Sequence, residues 1–167
     1  MRVGLGYDIH RLVPERPLRL GGVDVPSPLG LLGHSDGDVL LHALCDALLG
    51  AAALGEIGEL FPDDDPAWQG ADSARLVGIA LEKVRRAGLG PVNVDANVLA
   101  QKPRLGAHRE AMGARIAQLL GLSPSQVSVK VRSHEGLDAV GTGQAIAAQA
   151  VVLLEETAEP PGGSEAE

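Results

Sequence analysis

Aromatic side chains are scarce in this chain: one Tyr, one Phe and one Trp in 167 residues. With only Tyr7, Phe61 and Trp68 to draw on, the core must be built of Ala, Val, Leu and Ile, which dominate the 45% hydrophobic content. Cysteine occurs once, as Cys45, inside an apolar stretch. There is no disulfide framework, and a reducing compartment is expected. Cations are outnumbered, 14 Lys and Arg against 22 Asp and Glu, for a net charge of -8. Without a basic stripe to neutralise phosphates, non-specific nucleic-acid binding is excluded. A small phosphorylated ligand is not, since it needs only a metal or a few local donors. No apolar run approaches the roughly 20 residues of a membrane span, and the opening MRVGLGYDIH lacks the pattern of a secretory signal. A cytoplasmic protein is expected, with one domain over residues 1–156 that buries its own core. Thr157–Glu167 (TAEPPGGSEAE) reads as a disordered acidic tail.

What is present is organised around Gly33–Gly55, GHSDGDVLLHALCDALLGAAALG. A polar knot, Gly33 to Asp38, runs into a segment whose Leu40, Leu44, Ala47, Leu48 and Ala51 recur at helical spacing. Ser35 followed three residues later by Asp38 is a capping-box pattern, so the helix is predicted to start near Asp36 and to end at Gly55. Asp38, His42 and Asp46 are four residues apart and share one face. A polar stripe on an otherwise buried helix is costly unless its groups are paired or bind something. A ligand is expected on it.

The rest of the chain interleaves strands and helices. Arg2–His10 alternates and is rich in Val, Leu and Tyr, a strand. Leu18–Leu20 and Val23–Val25 flank Gly21-Gly22, a two-residue hairpin turn. Glu56–Gly70, with two prolines and three adjacent carboxylates, reads as a loop. Asp72 or Ser73 caps a helix that runs to about Ala87, with Gly88 as its stop. Val92–Ala100 alternates as a strand, and a basic turn around Pro103 leads into a helix over Glu110–Leu120. Val127–Val131 is a short strand. Ala145–Leu154 is almost wholly apolar and reads as a strand buried on both faces. The fold class is α+β, a mixed sheet with helices packed on one face.

Several side chains are candidates for chemistry. Asp8 and His10, two apart on a strand, point to one side; with His42 they offer two imidazoles and a carboxylate, the donor set of a catalytic zinc site with an open position. The plainer reading is an exposed strand end and a satisfied core histidine. His34 and Ser35 precede a helix start, where free N–H groups favour anions, or they merely cap it. Asp63, Asp64 and Asp65 bind a metal or a polyol, or form a solvated loop. Glu135 follows a strand end and either faces a metal or is simply exposed.

Taken together, the blocks Tyr7-Asp8-Ile9-His10, Gly33-His34-Ser35-Asp36-Gly37-Asp38, Leu41-His42-Ala43-Leu44, Asp46-Ala47-Leu48-Leu49-Gly50, Phe61-Pro62-Asp63, Ala71-Asp72-Ser73, Ala100-Gln101-Lys102-Pro103 and Gly141-Thr142-Gly143 closely resemble the 2-C-methyl-D-erythritol 2,4-cyclodiphosphate synthase family, from about Arg2 to Leu154. The resemblance implies a homotrimer with the sheets at its core and an active site at each subunit boundary. It implies Zn²⁺ on Asp8, His10 and His42, and a Mg²⁺ or Mn²⁺ on Glu135. Substrate would be met by Asp8, Ile9 and His10, with His34 and Ser35 on phosphate. Glu56, Ile57 and Gly58 with Phe61, Pro62, Asp63, Asp64 and Asp65 would line the erythritol and diphosphate side. From the neighbouring subunit, Ala100, Gln101, Lys102, Pro103, Arg104, Leu105 and Gly106 would hold the cytosine. Arg132 and Ser133 would lie near the phosphates, with His34 and Ser133 as catalytic donors.

The reaction so implied belongs to the non-mevalonate isoprenoid pathway. It closes 4-diphosphocytidyl-2-C-methyl-D-erythritol 2-phosphate into a cyclic diphosphate and releases CMP. Its partners are that cytidine-linked substrate and further copies of the chain, not nucleic acid or membrane. Arg132-Ser133-His134 stands where the family carries threonines, Glu56 where aspartate is usual, and Ala139 and Thr142 where some members have phenylalanine and arginine. A zinc hydrolase of a phosphorylated small molecule and a non-catalytic trimeric metal-binding module are the alternatives.

Overall fold

The computed structural model describes residues 1–157. The expected disordered tail therefore lies, apart from Thr157, outside the described residues. A five-stranded sheet forms the backbone of the fold, in the order β4 (Leu29–Leu31), β1 (Arg2–Pro14), β7 (Ala145–Glu156), β5 (Leu89–Leu99) and β6 (Val127–Arg132). Its pairs are antiparallel except β5 with β6, so the sheet is mixed and the class is α+β. The predicted hairpin is there as β2 (Leu18–Leu20) and β3 (Val23–Val25). Gly21 and Gly22, at φ +60 and +72, make the turn that a two-residue hairpin needs.

The central helix, α1 (Val39–Ala52), lies against β1 and β7. Two glycines explain how closely. A Cβ on Gly4 would sit 2.0 Å from the carbonyl oxygen of Ala47, and one on Gly6 would sit 1.9 Å from that of Ala43. Only bare backbone fits between strand and helix there. Residues of the same parity share a strand face, so Asp8 and His10 continue the row of Gly4 and Gly6.

The helix starts later than the sequence pattern predicts, at Val39 rather than near Asp36. Its cap is Asp38, whose carboxylate accepts from the N–H groups of Leu41 (3.1 Å), Gly21 (2.8 Å) and Gly22 (2.6 Å). The capping box fails because the Ser35 hydroxyl is engaged elsewhere. The helix also stops short of Gly55, with Ala53 left-handed at φ 57. Glu56–Gly70 is not all loop: it holds the short helix α2 (Ile57–Leu60) and a single turn over Pro66–Trp68.

Asp72 caps α3 (Ser73–Arg86), which turns Leu76, Val77, Ala80, Leu81 and Val84 inward, and Gly88 follows its end. The helix α4 (Arg109–Leu120) stops at the left-handed Gly121. A four-residue helix, α5 (Asp138–Gly141), precedes β7. β7 is buried on both faces, as expected, only over Ala145–Ala148; beyond it Ala150, Val152 and Leu154 face the helices, while Gln149 and Val151 are exposed. Helices cover one side of the sheet, and on the other, among the described residues, only α5 packs, its Val140 against Ala145, Ala147 and Leu99. The other side shows Val3 and Leu5, each 69% exposed, beside Tyr7, Ile9 and Val151, an apolar patch of the kind that marks an interaction surface.

Candidate functional site

Where β1 leaves the row of glycines, its Asp8 and His10 meet His42 of α1. Asp8 Oδ2 lies 2.8 Å from His10 Nε2 and 2.9 Å from His42 Nδ1. The three donor atoms all fall within 4.8 Å of one another.

The outer nitrogens of both rings are already assigned. His10 Nδ1 is 2.6 Å from the carbonyl oxygen of Leu32, which only accepts, so Nδ1 carries a proton. His42 Nε2 lies 3.0 Å from Ser73 Oγ and 2.9 Å from Ser35 Oγ. The Ser73 hydroxyl donates to Asp36 Oδ1 at 2.5 Å, so it accepts from His42, and Nε2 is the protonated nitrogen. In each neutral ring the remaining nitrogen is therefore a lone pair aimed at a carboxylate oxygen. Acceptor facing acceptor at 2.8–2.9 Å requires a cation between them, a proton or a metal ion. Two nitrogens and one oxygen with an open position suit a catalytic zinc.

The protonation of the pair without metal follows the same logic. Burial alone would raise the Asp8 pKa, but the hydrogen bonds and charge of His10 and His42 outweigh it and hold the carboxyl well below its ordinary range. Burial would lower His10, but the bond and charge of Asp8 prevail and raise it.

The cluster opens on a cavity of about 390 Å³. Of the residues predicted from sequence, Asp8, Ile9, His10, His34, Ser35 and His42 line it, as do Ile57, Gly58, Phe61 and Asp63. Glu56, Pro62, Asp64 and Asp65 do not; the backbone oxygen of Asp65 instead receives His34 Nε2 at 3.1 Å. Ser35 is buried, its hydroxyl bonded to His42 and to the Gly37 N–H at 3.2 Å. At the helix start behind it, the Asp38 carboxylate already takes the Leu41 N–H along with those of the hairpin turn.

Ala100–Gly106 and Arg132–Glu135 lie apart from this cavity. They leave the ends of β5 and β6, two and three strands across the sheet from Asp8. There Ser133 donates to Glu135 Oε1 at 2.5 Å, and both are exposed. Lys102 and Arg104 are exposed while Ala100 and Leu105 are buried. The Gln101 side-chain oxygen is buried with no hydrogen-bond partner among the described residues.

Sequence reading missed some of the lining. Asp46 lies on the helical stripe where a ligand is expected. It is half-buried in the cavity wall and accepts from the Ile57 N–H at 2.8 Å; burial raises its pKa. Arg11, Trp68 and Leu76 also line the cavity. Ser73 and Asp36, which set the His42 tautomer, are more than thirty residues apart, and no local pattern announces that contact.

The family model described as the YgbB family matches residues 1–155. The 2-C-methyl-D-erythritol 2,4-cyclodiphosphate synthase of Trichlorobacter lovleyi is 51% identical over 154 residues, 92% of this chain and 98% of that one. Among solved structures, a 2C-methyl-D-erythritol-2,4-cyclodiphosphate synthase in its CDP-bound form is 41% identical with a TM-score of 0.85, over 92% of this chain and 100% of that one. The bifunctional IspDF from Campylobacter jejuni gives a TM-score of 0.89 at 42% identity, over 93% of this chain and 42% of that longer chain.

Proposed function

The chain belongs to the YgbB family, and from that premise we propose that it converts 4-diphosphocytidyl-2-C-methyl-D-erythritol 2-phosphate to 2-C-methyl-D-erythritol 2,4-cyclodiphosphate and CMP. An oxygen of the 2-phosphate forms a bond to the β-phosphorus. The bond from that phosphorus to the bridging oxygen breaks, and its electron pair leaves with CMP. The substrate supplies its own nucleophile, so the protein has to position the two phosphates and offset their charge.

The observation that carries this reading is the carboxylate oxygen of Asp8 facing two imidazole lone pairs at the mouth of a cavity large enough for a phosphorylated polyol. Asp8, His10 and His42 would hold Zn²⁺. Glu135, a single exposed carboxylate beside the Ser133 hydroxyl, would hold Mg²⁺ or Mn²⁺, for which one protein carboxylate suffices. Metal ions bound at these places supply the positive charge that a chain of net charge -8 lacks, and polarise phosphate oxygens. His34 in the cavity wall and the Ser133 hydroxyl would donate to phosphate oxygens by giving up their bonds to the Asp65 carbonyl and to Glu135. Glu56, Ile57, Gly58 and Phe61–Asp65 bound the erythritol side, while Ala100–Gly106 hold the cytosine.

Within one chain, Ala100–Gly106 and Glu135 stand apart from the cavity that holds His10 and His42. A homotrimer resolves this by bringing the β5–β6 end of one subunit to the cavity of the next. The apolar face with Val3, Leu5, Tyr7, Ile9 and Val151 supports such an assembly, with the sheets inward. The enzyme would work in the cytoplasm, and no helix among the described residues is long and apolar enough to cross a membrane.

Phosphorus NMR tests the reaction. Purified protein given the cytidyl substrate, Zn²⁺ and Mg²⁺ is expected to yield CMP and a cyclic diphosphate in equal amounts. Release of an open-chain phosphate carrying solvent oxygen would refute ring closure and make the protein a hydrolase.

A further inference from the structure

Arg16 lies in the turn between β1 and β2, outside every segment given a role above. Its guanidinium donates through one terminal nitrogen to the carbonyl of Gly33 at 3.0 Å and through the other to the carbonyl of Ser35 at 2.9 Å. Those two carbonyls flank His34, so one rigid fork holds a three-residue segment by both ends.

Each residue of that segment, and the one before it, bears on the site. The carbonyl of Leu32 orients His10 through its Nδ1 at 2.6 Å. The Gly33 backbone lies flat against the same ring: a Cβ there would be 2.9 Å from His10 Cε1 and 3.0 Å from Nδ1. His34 lines the cavity. The Ser35 hydroxyl meets His42 Nε2 at 2.9 Å. Three imidazoles from three parts of the chain thus depend on where the Gly33–Ser35 backbone sits, and Arg16 is the side chain that grips it.

We propose that Arg16 is a positioning residue for the site, holding Gly33–Ser35 so that His10 and His42 present their lone pairs to Asp8 and His34 faces the cavity. The proposal rests on the ring-closure reading only for its kinetic arm. Outer partners of metal-ligating histidines typically contribute about 10- to 100-fold in metal affinity or activity.

The experiment compares wild type with Arg16→Ala and Arg16→Lys in three readouts: Co²⁺ titration followed by visible absorption, steady-state kinetics of CMP release, and thermal melting. For Arg16→Ala, Co²⁺ affinity is expected to fall roughly 10- to 100-fold with an altered absorption spectrum. kcat should fall by a similar factor, with KM changing less. Added methylguanidinium should recover part of both losses. Arg16→Lys should recover less, because an ammonium is a point charge that cannot span two carbonyls.

A lower melting temperature with wild-type Co²⁺ affinity and kcat would make Arg16 a structural strap and overturn the proposal. Loss that methylguanidinium does not relieve would do the same. If Arg16→Ala does not fold, Arg16→Lys decides: wild-type Co²⁺ affinity in that variant overturns the proposal, and weakened affinity with a near-wild-type melt supports it. A wild-type protein that binds Co²⁺ but releases no CMP sinks the ring-closure reading, and the Co²⁺ arm still decides the role of Arg16.

Discussion

Replacing Gly6 with alanine perturbs the packing that brings the site together. The new Cβ would lie 1.9 Å from the carbonyl oxygen of Ala43, where real Cβ contacts begin near 3.0 Å. Strand β1 and helix α1 must therefore part by about 1.1 Å, the difference between those two distances. The obstacle is backbone, so no side chain can swing aside. Asp8 and His10 ride on the strand and His42 on the helix, with donor atoms now 2.8–2.9 Å apart. A metal site tolerates roughly ±0.2 Å in its ligand distances, several times less than the forced shift. Overpacking of this kind typically destabilises by about 1–3 kcal/mol. At roughly 2–4 °C per kcal/mol for a chain of this size, that corresponds to a loss of about 2–12 °C in Tm. Thermal melts of chelator-treated protein and Co²⁺ titration measure the two effects separately. A Gly6→Ala protein with wild-type Tm and wild-type Co²⁺ affinity would show that close helix–strand contact does not set the ligand geometry.

Gly78→Ala is the opposite case: on α3 a Cβ would meet nothing within 4 Å, so a gain of about 0.5–1 kcal/mol is expected in denaturant melts, with Co²⁺ affinity unchanged. Asp38→Ala strips three N–H groups, those of Leu41, Gly21 and Gly22, of their shared acceptor. A loss of about 2–4 kcal/mol is expected from the cap and the buried unpaired donors, read from urea unfolding. Asp38→Asn should restore only part of it, since its carbonyl can serve Leu41 and Gly21 while its NH₂ would oppose the Gly22 N–H. The His10–Asp8 pair gives metal-free stability a defined pH window. His10 is raised above its ordinary 6.5, so its contribution is full below that value and is lost as pH rises through the folded pKa. Asp8 is lowered from 3.8, so its contribution is present above that value and is lost only as pH falls through the folded pKa. The Tm difference between chelator-treated wild type and His10→Asn should thus be greatest between about pH 4 and 6.5 and shrink toward pH 8; a difference that grows toward pH 8 would contradict the pairing.

The elements that periodicity controls were legible. Helix α3 appears where its cap and periodicity put it, and β5 covers the predicted alternation but begins three residues earlier, at Leu89, across an irregularity at Pro91–Asn93. The start of α1 was misplaced because Ser35 and Asp38 satisfy a local pattern while their actual partners, His42 for one and the Gly21-Gly22 turn for the other, come from elsewhere in the chain. Strand β4 carries only three residues with Gly30 at its centre, too short for any period to register. β7 reads as apolar throughout for a different reason: the exposed Val151 is as apolar as its buried neighbours, so composition does not separate the two faces. In the site, the spacing of Asp8 and His10 and the stripe holding His42 were visible. The Ser73–Asp36 support and the Arg16 fork were not, since polar contacts between distant loops leave no periodic trace.

Anomalous diffraction at the zinc edge, from crystals grown with Zn²⁺ and CDP, tests most directly the claim of a metal-centred site shared between subunits. A zinc peak is expected on Asp8, His10 and His42 in every chain, with the cytosine of CDP against Ala100–Gly106 of an adjoining copy. A zinc peak elsewhere, or a cytosine seated on the same chain that supplies His42, would contradict it.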